Sequence, residues 1–157
     1  MVVSIETAAK EAGRPAPEGL VLTLDICSAS SVASAAKTTS EAFGGKLDIL
    51  IHNAGIIGPM GRMCDTDPNE WWKTWEVNVR GPFLVTRAFT PLPLASQQKT
   101  LVTISSVDAT IATPGAPGYK AAKTAVCRTM EFAAVENADE GLIAFSMHPT
   151  NIAYWNS

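Results

Sequence analysis

Short apolar runs alternate along the chain with longer segments whose apolar residues recur every three or four positions. The apolar runs, whose leucine, isoleucine and valine content is typical of strands in a parallel sheet, lie at residues 20–26, 47–52, 101–104 and 142–147. Helices are predicted before and between them, at residues 4–12, 28–43, 68–90 and 118–138. This alternation predicts an α/β fold, with a parallel sheet and helices on both of its faces.

Local signals indicate several helix ends. Asp67, followed by a proline and then by Glu70, is typical of a helix start, since the aspartate can cap free amides and proline fits the first turn. Two glycines at 44–45 are expected to end the helix before them. Gly81-Pro82 lies within the predicted helix at 68–90, and we expect this pair to bend the helix or break it locally.

Composition narrows the range of functions. The length suits one domain, which we place at residues 1–157. A net charge of −3 provides no general attraction to nucleic acid or to an anionic membrane, and no apolar run approaches the roughly 20 residues that span a bilayer. The three cysteines show no Cys-x-x-Cys or Cys/His spacing, so we expect reduced thiols, a cytoplasmic protein and no metal site.

Polar residues follow the predicted strands. Asp25 lies near the end of the first strand, Asn53-Ala54-Gly55 follows the second and Ser106 follows the third. In open parallel sheets, ligands bind outside the carboxyl ends of the strands. The sequence therefore predicts a binding site at that edge of the sheet.

The helix after Ser106 adds two groups that can move protons. It opens with Tyr119, and Lys123 follows four residues later on the same helix face. A nearby ammonium favours the phenolate form of a tyrosine, so Tyr119 could exchange a proton with an alcohol or carbonyl oxygen. Ser106 could hold that oxygen beside the phenol.

Each of these residues also has a structural explanation when taken alone. Ser106 could cap a turn, Tyr119 and Lys123 could belong to an amphipathic face, and Asp25 could start a turn. The asparagines at 53 and 78 could satisfy backbone groups. Neither His52 nor His148 has a cluster of metal-ligating residues around it in sequence, and we interpret both as structural.

Taken together, the motifs resemble those of the short-chain dehydrogenase/reductases over nearly the whole chain. The match comprises Leu-Asp-Ile with Asp25, His-Asn-Ala-Gly at 52–55, Asn78 in Asn-Val-Arg-Gly, and Ser106 thirteen residues before the Tyr119-x-x-x-Lys123 pair. The resemblance implies a Rossmann-like three-layer sandwich with a mostly parallel sheet. It also implies NAD(P)-dependent interconversion of an alcohol and a carbonyl.

The resemblance implies a role for each site residue. The catalytic residues would be Asn78, Ser106, Tyr119 and Lys123, with Asn78 holding a water that links Lys123 to solvent and Lys123 also holding the nicotinamide ribose. The residues that would contact NADP or NAD lie at several strand ends and on the helix, and comprise Asp25, Asn53, Ala54, Gly55, Tyr119, Lys123, Pro149 and Ile152.

The chain also departs from the family pattern. The family's first strand, its TGxxxGxG turn, which cradles the pyrophosphate, and its last strand are not found here. We therefore expect a partial domain that is truncated at both ends. In the family's strand order two strands lie between 20–26 and 47–52. We expect residues 20–26 to move across and pair with 47–52, or the chain to be marginally stable and self-associate through exposed edges.

Aromatic residues suggest a contact surface. We expect a core or a helix–helix interface to be formed by Trp71, Trp72, Trp75 and Phe83. The resemblance places helices 68–90 and 118–138 at the family's dimer interface, so a homo-oligomer is expected.

Two other functions fit the same residues. Ser106, Tyr119 and Lys123 could serve a cofactor-independent isomerase, dehydratase or cyclase. Alternatively, the chain could be a non-catalytic partner of a full-length relative. Replacing Tyr119 with Phe would abolish the first of these activities and leave the second function intact.

Overall fold

The computed structural model describes residues 2–149, with side chains from Ile5 onward. Within this range the helices are α1 Val2–Glu11, α2 Ala29–Ala42, α3 Pro68–Trp75, α4 Gly81–Phe89, α5 Pro91–Leu94 and α6 Pro117–Glu136. The strands are β1 Ile49–His52, β2 Thr100–Ile104 and β3 Ile143–Met147. A π-helical turn, Glu76–Arg80, joins α3 to α4, and single 3-10 turns lie at Met63–Asp65 and Val107–Ala109.

The three strands form one parallel sheet in the order β1-β2-β3. Leu50 pairs with Leu101, and Leu101 pairs with Ala144. Helices connect successive strands, as parallel pairing requires, because the chain must return to the same end of the sheet. The predicted Rossmann-like α/β class is therefore confirmed.

One face of the sheet carries the core. Leu101 is fully buried, and Leu50 in the same row packs against a cluster of buried side chains from α2, α4 and α5, comprising Val32, Ala35, Ala36, Leu84, Val85, Phe89 and Leu92. Helix α6 packs on β2 and β3 from the same side and buries Val126 and Met130. This face supports the elements that carry the candidate site.

The other face of the sheet is open among the described residues. On this face the side chains of the two outer strands are between 45% and 57% exposed, namely Ile49, Ile51, Ile143, Phe145 and Met147, while Val102 of the central strand is 7% exposed. Our expectation of helices on both faces is therefore wrong for residues 2–149. The helices that pack on this sheet all come from the segments that cross between β1, β2 and β3 or precede β1, and such right-handed crossovers share one face.

Residues 20–26 do not form the predicted strand. Residues 20–25 have no regular secondary structure, Ile26 begins a turn, and Val21 is 75% exposed. It does not pair with β1, and a groove of about 300 Å³ lies between the strand and the side chains of Leu24 and Ile26. The predicted closure of the sheet is therefore wrong, while self-association through the exposed edge stays a prediction.

Helix α4 holds the end of this segment instead. A Cβ atom at Gly81 would lie 2.7 Å from Cδ1 of Ile26, so glycine permits the isoleucine to pack on the helix. The Arg80 guanidinium donates to the Cys27 carbonyl at 2.6 Å. These contacts fix the segment at a distance from β1, which explains why its apolar residues do not join the sheet.

The predicted helix signals are mostly confirmed. Asp67 caps α3 by accepting from the Asn69 and Glu70 amides, and two glycines with positive φ follow α2. The irregularity expected at Gly81-Pro82 lies one turn earlier, at Glu76–Arg80, where the Gly81 amide donates to the Glu76 carbonyl five residues back. Proline lacks an N–H group, so α4 can begin beside it without losing a hydrogen bond.

The tryptophans divide between an interface and the surface. Trp71 lies at the contact of α3 with α6, where a Cβ atom at Gly118 would approach its ring to 2.9 Å. Trp72 and Phe83 are 57% and 51% exposed, so for these two the expectation of a core position within the chain is wrong.

Candidate active site

A cavity of about 270 Å³ opens at the carboxyl ends of the strands. Six of the residues predicted from sequence line it, namely Asn53, Gly55, Ser106, Tyr119, Lys123 and Pro149. They come from the loop after β1, the loop after β2, the start of α6 and the end of β3. The parallel sheet therefore brings together side chains that are up to 96 positions apart in sequence.

Tyr119 and Lys123 lie side by side on α6. The Lys123 ammonium is 5.6 Å from the centroid of the Tyr119 ring and donates to the Ile104 carbonyl at 2.7 Å. The lysine is only 6% exposed. Burial lowers the pKa of Lys123, and the nearby Cys127 partly opposes this shift. A cation in such a site acts on the phenol with little screening by water.

The two serines after β2 have different positions. Ser106 lines the cavity, and its hydroxyl also accepts from the Asp108 amide at 3.2 Å, which caps the 3-10 turn. Ser105 is buried against α6, with its hydroxyl 3.0 Å from Sγ of Cys127. Ser105 also lines the cavity, but its hydroxyl is engaged with α6, so Ser106 is the better placed of the two to hold a substrate oxygen beside Tyr119.

Asn78 is buried in the π-helical turn and binds the loop after β1. Its amide nitrogen donates to the Ile56 carbonyl at 2.7 Å and to the Thr74 carbonyl at 2.9 Å, and its oxygen accepts from the Ile56 amide at 3.2 Å. The Asn78 side chain does not line the cavity, but it lies behind Gly55, which does. A Cβ atom at Gly55 would lie 2.7 Å from Oδ1 of Asn78 and 3.6 Å from the Lys123 ammonium.

The remaining predicted cofactor contacts lie apart from the cavity. Ala54 lines the groove beside β1, and the Asp25 carboxylate accepts from the Cys27 amide at 2.9 Å in an exposed turn. Asn53 lines both the cavity and the groove, so the two adjoin. Ile152 lies outside the described residues. Asp25 is separated from the cavity because residues 20–26 stay apart from β1.

His52 has the environment of a structural residue. It is 7% exposed, its Nε2 lies 3.1 Å from the Thr86 hydroxyl, and burial lowers the pKa of His52 to about 4. Among residues 2–149 no group of three histidine, cysteine or acidic side chains could hold a metal ion. No helix in this part of the chain is long and apolar enough to cross a membrane.

Sequence reasoning missed an ion pair beside the cavity. Lys120 and Asp108 approach to 3.0 Å between Nζ and Oδ1, and both side chains are partly buried. The position of Lys120 next to Tyr119 could have suggested that this lysine lies near the site. Its partner depends on the path of the loop after β2, which local patterns do not encode.

Comparison with known proteins gives a consistent family. A family model described as enoyl-(acyl carrier protein) reductase matches residues 3–153. The short chain dehydrogenase mpl6 of Monascus purpureus is 46% identical over 142 residues, which are 90% of this chain and 48% of that protein. The chain spans about half the length of the curated relatives that it matches.

Solved structures agree on the fold. A protein of Escherichia coli CFT073, classed as a short chain dehydrogenase and complexed with NADPH, superposes with a TM-score of 0.78 at 28% identity, over 92% of this chain and 59% of that one. NAD⁺-bound xylitol dehydrogenase superposes with a TM-score of 0.82 over 94% of this chain and 55% of that one. At 23% identity the second match shows the fold alone.

Proposed function

The chain belongs to the short-chain dehydrogenase/reductase family, and we propose that its cavity is the substrate end of an oxidoreductase site for NAD(P)-dependent interconversion of an alcohol and a carbonyl. The observation that carries this proposal is the joint placement of Ser106, Tyr119 and Lys123 around one cavity. The protein relatives and structural neighbours named above are dehydrogenases by name, which favours this function over a cofactor-independent enzyme or a non-catalytic partner.

Tyr119 is the acid–base group in this proposal. It takes the proton of a substrate hydroxyl during oxidation and returns it to the substrate oxygen during reduction. Lys123 places a positive charge near the phenol, and the Ile104 carbonyl holds its ammonium there. Ser106 places the substrate oxygen, and when bound the nicotinamide cofactor supplies the hydride chemistry.

The residues present fit the nicotinamide end of the cofactor. A phenol, an ammonium and the Asn53 side chain border the cavity, and such donors suit a ribose and a carboxamide. The adjoining groove is bordered by β1 and by Leu24 and Ile26, which flank Asp25, the residue that the resemblance puts near the adenine. The residues do not include a glycine-rich turn for the pyrophosphate. We infer a nicotinamide dinucleotide, NADP or NAD, as the cofactor, since the resemblance implies either and a neighbour at 28% identity is complexed with NADPH.

Calorimetry with NADPH and NADH tests whether this chain binds the cofactor. We expect saturable binding that weakens when Lys123 is replaced with Met. The exposed Lys73 provides a matched control, and Lys73→Met is expected to bind like the wild type. Absence of saturable binding at millimolar cofactor would contradict the proposal for this chain.

Turnover of a panel of alcohols and ketones tests the chemistry. Tyr119→Phe keeps the ring but removes the proton donor, so we expect binding of the cofactor to persist while turnover falls by about 100- to 10,000-fold. Turnover that survives removal of all dinucleotide would instead favour an isomerase, dehydratase or cyclase.

We also infer that a second copy of the chain docks on the aromatic surface. Trp72, Val79, Phe83 and Thr129 line a hollow of about 360 Å³ on the outer side of α3, α4 and α6. Exposed aromatic groups of this kind are typical of protein interfaces.

We still expect a single domain in the reducing environment of the cytosol. Three cysteines, Cys27, Cys64 and Cys127, are free thiols, as that environment favours.

A further inference from the structure

Helix α6 carries two adjacent pairs of residues with four-residue spacing. Tyr119 and Lys123 line the cavity. Lys120 and Thr124, each one position later, bind the loop that follows β2, and the Thr124 hydroxyl donates to the Ala109 carbonyl at 2.9 Å. Because neighbouring positions on a helix point about 100° apart, one turn of α6 can serve the cavity with one face and the loop with the next.

Lys120 makes the principal contacts to this loop. Its ammonium pairs with Oδ1 of Asp108 at 3.0 Å and donates to the Thr113 carbonyl at 3.1 Å, with a further contact to the Thr113 hydroxyl. The lysine thereby joins the start of the loop, next to Ser106, to a point five residues further along it.

Asp108 in turn binds the Ser106 hydroxyl with two groups. The Asp108 amide donates to Oγ of Ser106 at 3.2 Å, and the Ser106 hydroxyl donates to Oδ2 of the same aspartate at 3.4 Å. One carboxylate therefore contacts the ammonium with one oxygen and the serine hydroxyl with the other.

Burial distinguishes this ion pair from the others in the described chain. The Lys120 and Asp108 side chains are 16% and 31% exposed, whereas both partners of every other ion pair there are more than half exposed. Exposed pairs contribute little because water and salt screen them, and a partly buried pair is screened less. A surface role alone does not explain why this pair lies beneath the loop.

We propose that Asp108 is a positioning residue for Ser106 and that Lys120 holds Asp108 in place. The inference rests on the proposed function, because it concerns how Ser106 meets the substrate oxygen. The Asp108 amide occupies one lone pair of Ser106, and the carboxylate lies 3.4 Å from its hydroxyl. When substrate binds, the Ser106 proton can turn from this long contact to the substrate oxygen, which accepts it in the alcohol and in the carbonyl alike, while the alcohol's own proton goes to Tyr119.

Amide hydrogen exchange tests the positioning without any need for activity. Lys120→Met removes the ammonium and keeps the aliphatic stem, so the amides of Asp108, Ala109 and Thr110 should exchange faster by a factor on the order of five. Lys73→Met breaks an exposed pair with Glu70 and should leave these amides unchanged. Equal exchange in the wild type and Lys120→Met would overturn the proposal.

Steady-state kinetics in both directions test the positioning of Ser106. Asp108→Asn removes the negative charge that pairs with Lys120 and loosens the hold on Ser106, so the KM values for the alcohol and for the carbonyl should both rise, roughly fivefold. The KM for the cofactor should not change, and Lys120→Arg should keep the wild-type values. Unchanged KM values for both substrates, or an equal rise in the KM for the cofactor, would reject a positioning role for Asp108.

The hydrogen-exchange and kinetic experiments together distinguish failure of this inference from failure of the proposed function. A wild-type chain without cofactor-dependent turnover would refute the proposed function for this chain. The exchange measurement would still accept or reject the positioning of the loop by Lys120 and Asp108.

Discussion

Two segments with nearly the same apolar pattern have different structures in this molecule. The run that begins at Leu101 forms β2, with a parallel strand on each side and Leu101 fully buried. The run at 20–26 is equally rich in leucine and valine, yet it forms no strand and exposes Val21. The comparison teaches that a strand depends on its neighbours, because strand propensity largely measures packing against adjacent strands.

The two segments are also held by different kinds of contact. The backbone of β2 pairs with β1 and β3 along its length. The run at 20–26 is held at its carboxyl end, through Ile26 on Gly81 and Arg80 on the Cys27 carbonyl. The candidate cavity depends on β2 and α6, so the stable segment carries the chemistry and the exposed one borders the predicted adenine end.

Amide exchange should give the largest contrast between the two segments. The amides of 21–24 have no hydrogen-bond acceptor among the described residues and should exchange near the rate of an unfolded peptide, while those of 101–103 should be slower by roughly a thousandfold. Deuterium uptake measured on peptic fragments covers both segments in one sample. Slow exchange at 21–24 would show that the segment pairs in solution and would restore the closed sheet.

Alanine substitutions should separate the segments by stability. Leu101→Ala empties a fully buried position between two strands and should lower the free energy of unfolding by about 2–5 kcal/mol. Leu22 is 36% exposed, and Leu22→Ala should change that free energy by less than about 1 kcal/mol. Urea unfolding compares the two variants with the wild type. Similar losses would mean that the amino-terminal segment belongs to the cooperative core.

The pH dependence of stability should show whether water is excluded from His52, on the groove side of β1. The pKa of His52 is lowered to about 4 by burial, whereas the unfolded chain binds this proton near pH 6.5. Below pH 6.5 the unfolded state therefore takes up more protons than the folded state. We expect the free energy of unfolding to fall by about 2–3 kcal/mol between pH 7 and pH 4.5, and the loss to be complete near pH 4.

Urea unfolding at several pH values checks this expectation. His52→Gln keeps a partner for the Thr86 hydroxyl but cannot titrate, so most of the pH dependence should disappear. His148 is exposed, and His148→Gln should leave the profile unchanged. An unaltered profile in His52→Gln would indicate that water reaches His52 through the groove.

Much of the fold could be predicted from local patterns, and the misses share one cause. The helices at 29–42 and 117–136 and three of the four strands follow from periodicity and capping. The run at 20–26 has the same periodicity, but strand formation also needs a partner at the right distance. The open sheet face was missed for the same reason, since the covering of a face depends on the whole topology.

The candidate site shows the same division. Ser106, Tyr119 and Lys123 could be found because their spacing along the chain fixes their chemistry on one strand end and one helix face. The pairing of Asp108 with Lys120 could not, because this contact requires the loop between them to fold back on α6. Asn78 was found as a residue, but its bonds to Ile56 arise from a helical turn that the sequence placed near Gly81.

That π-helical turn, Glu76–Arg80, has a consequence for changes in chain length. A π turn holds one residue more than the α-helical turn that would replace it, so the surplus residue is absorbed there and the rotation of α4 is unaffected. Deleting one residue in the turn, such as Val79, should therefore let α3 continue into α4 with Leu84 and Phe89 still facing the core. The same deletion would take Asn78 away from Ile56. The chain should therefore tolerate the loss of one residue at this turn without losing the packing of α4 on the core. What it would lose is the set of hydrogen bonds between Asn78 and Ile56, which lies next to Lys123.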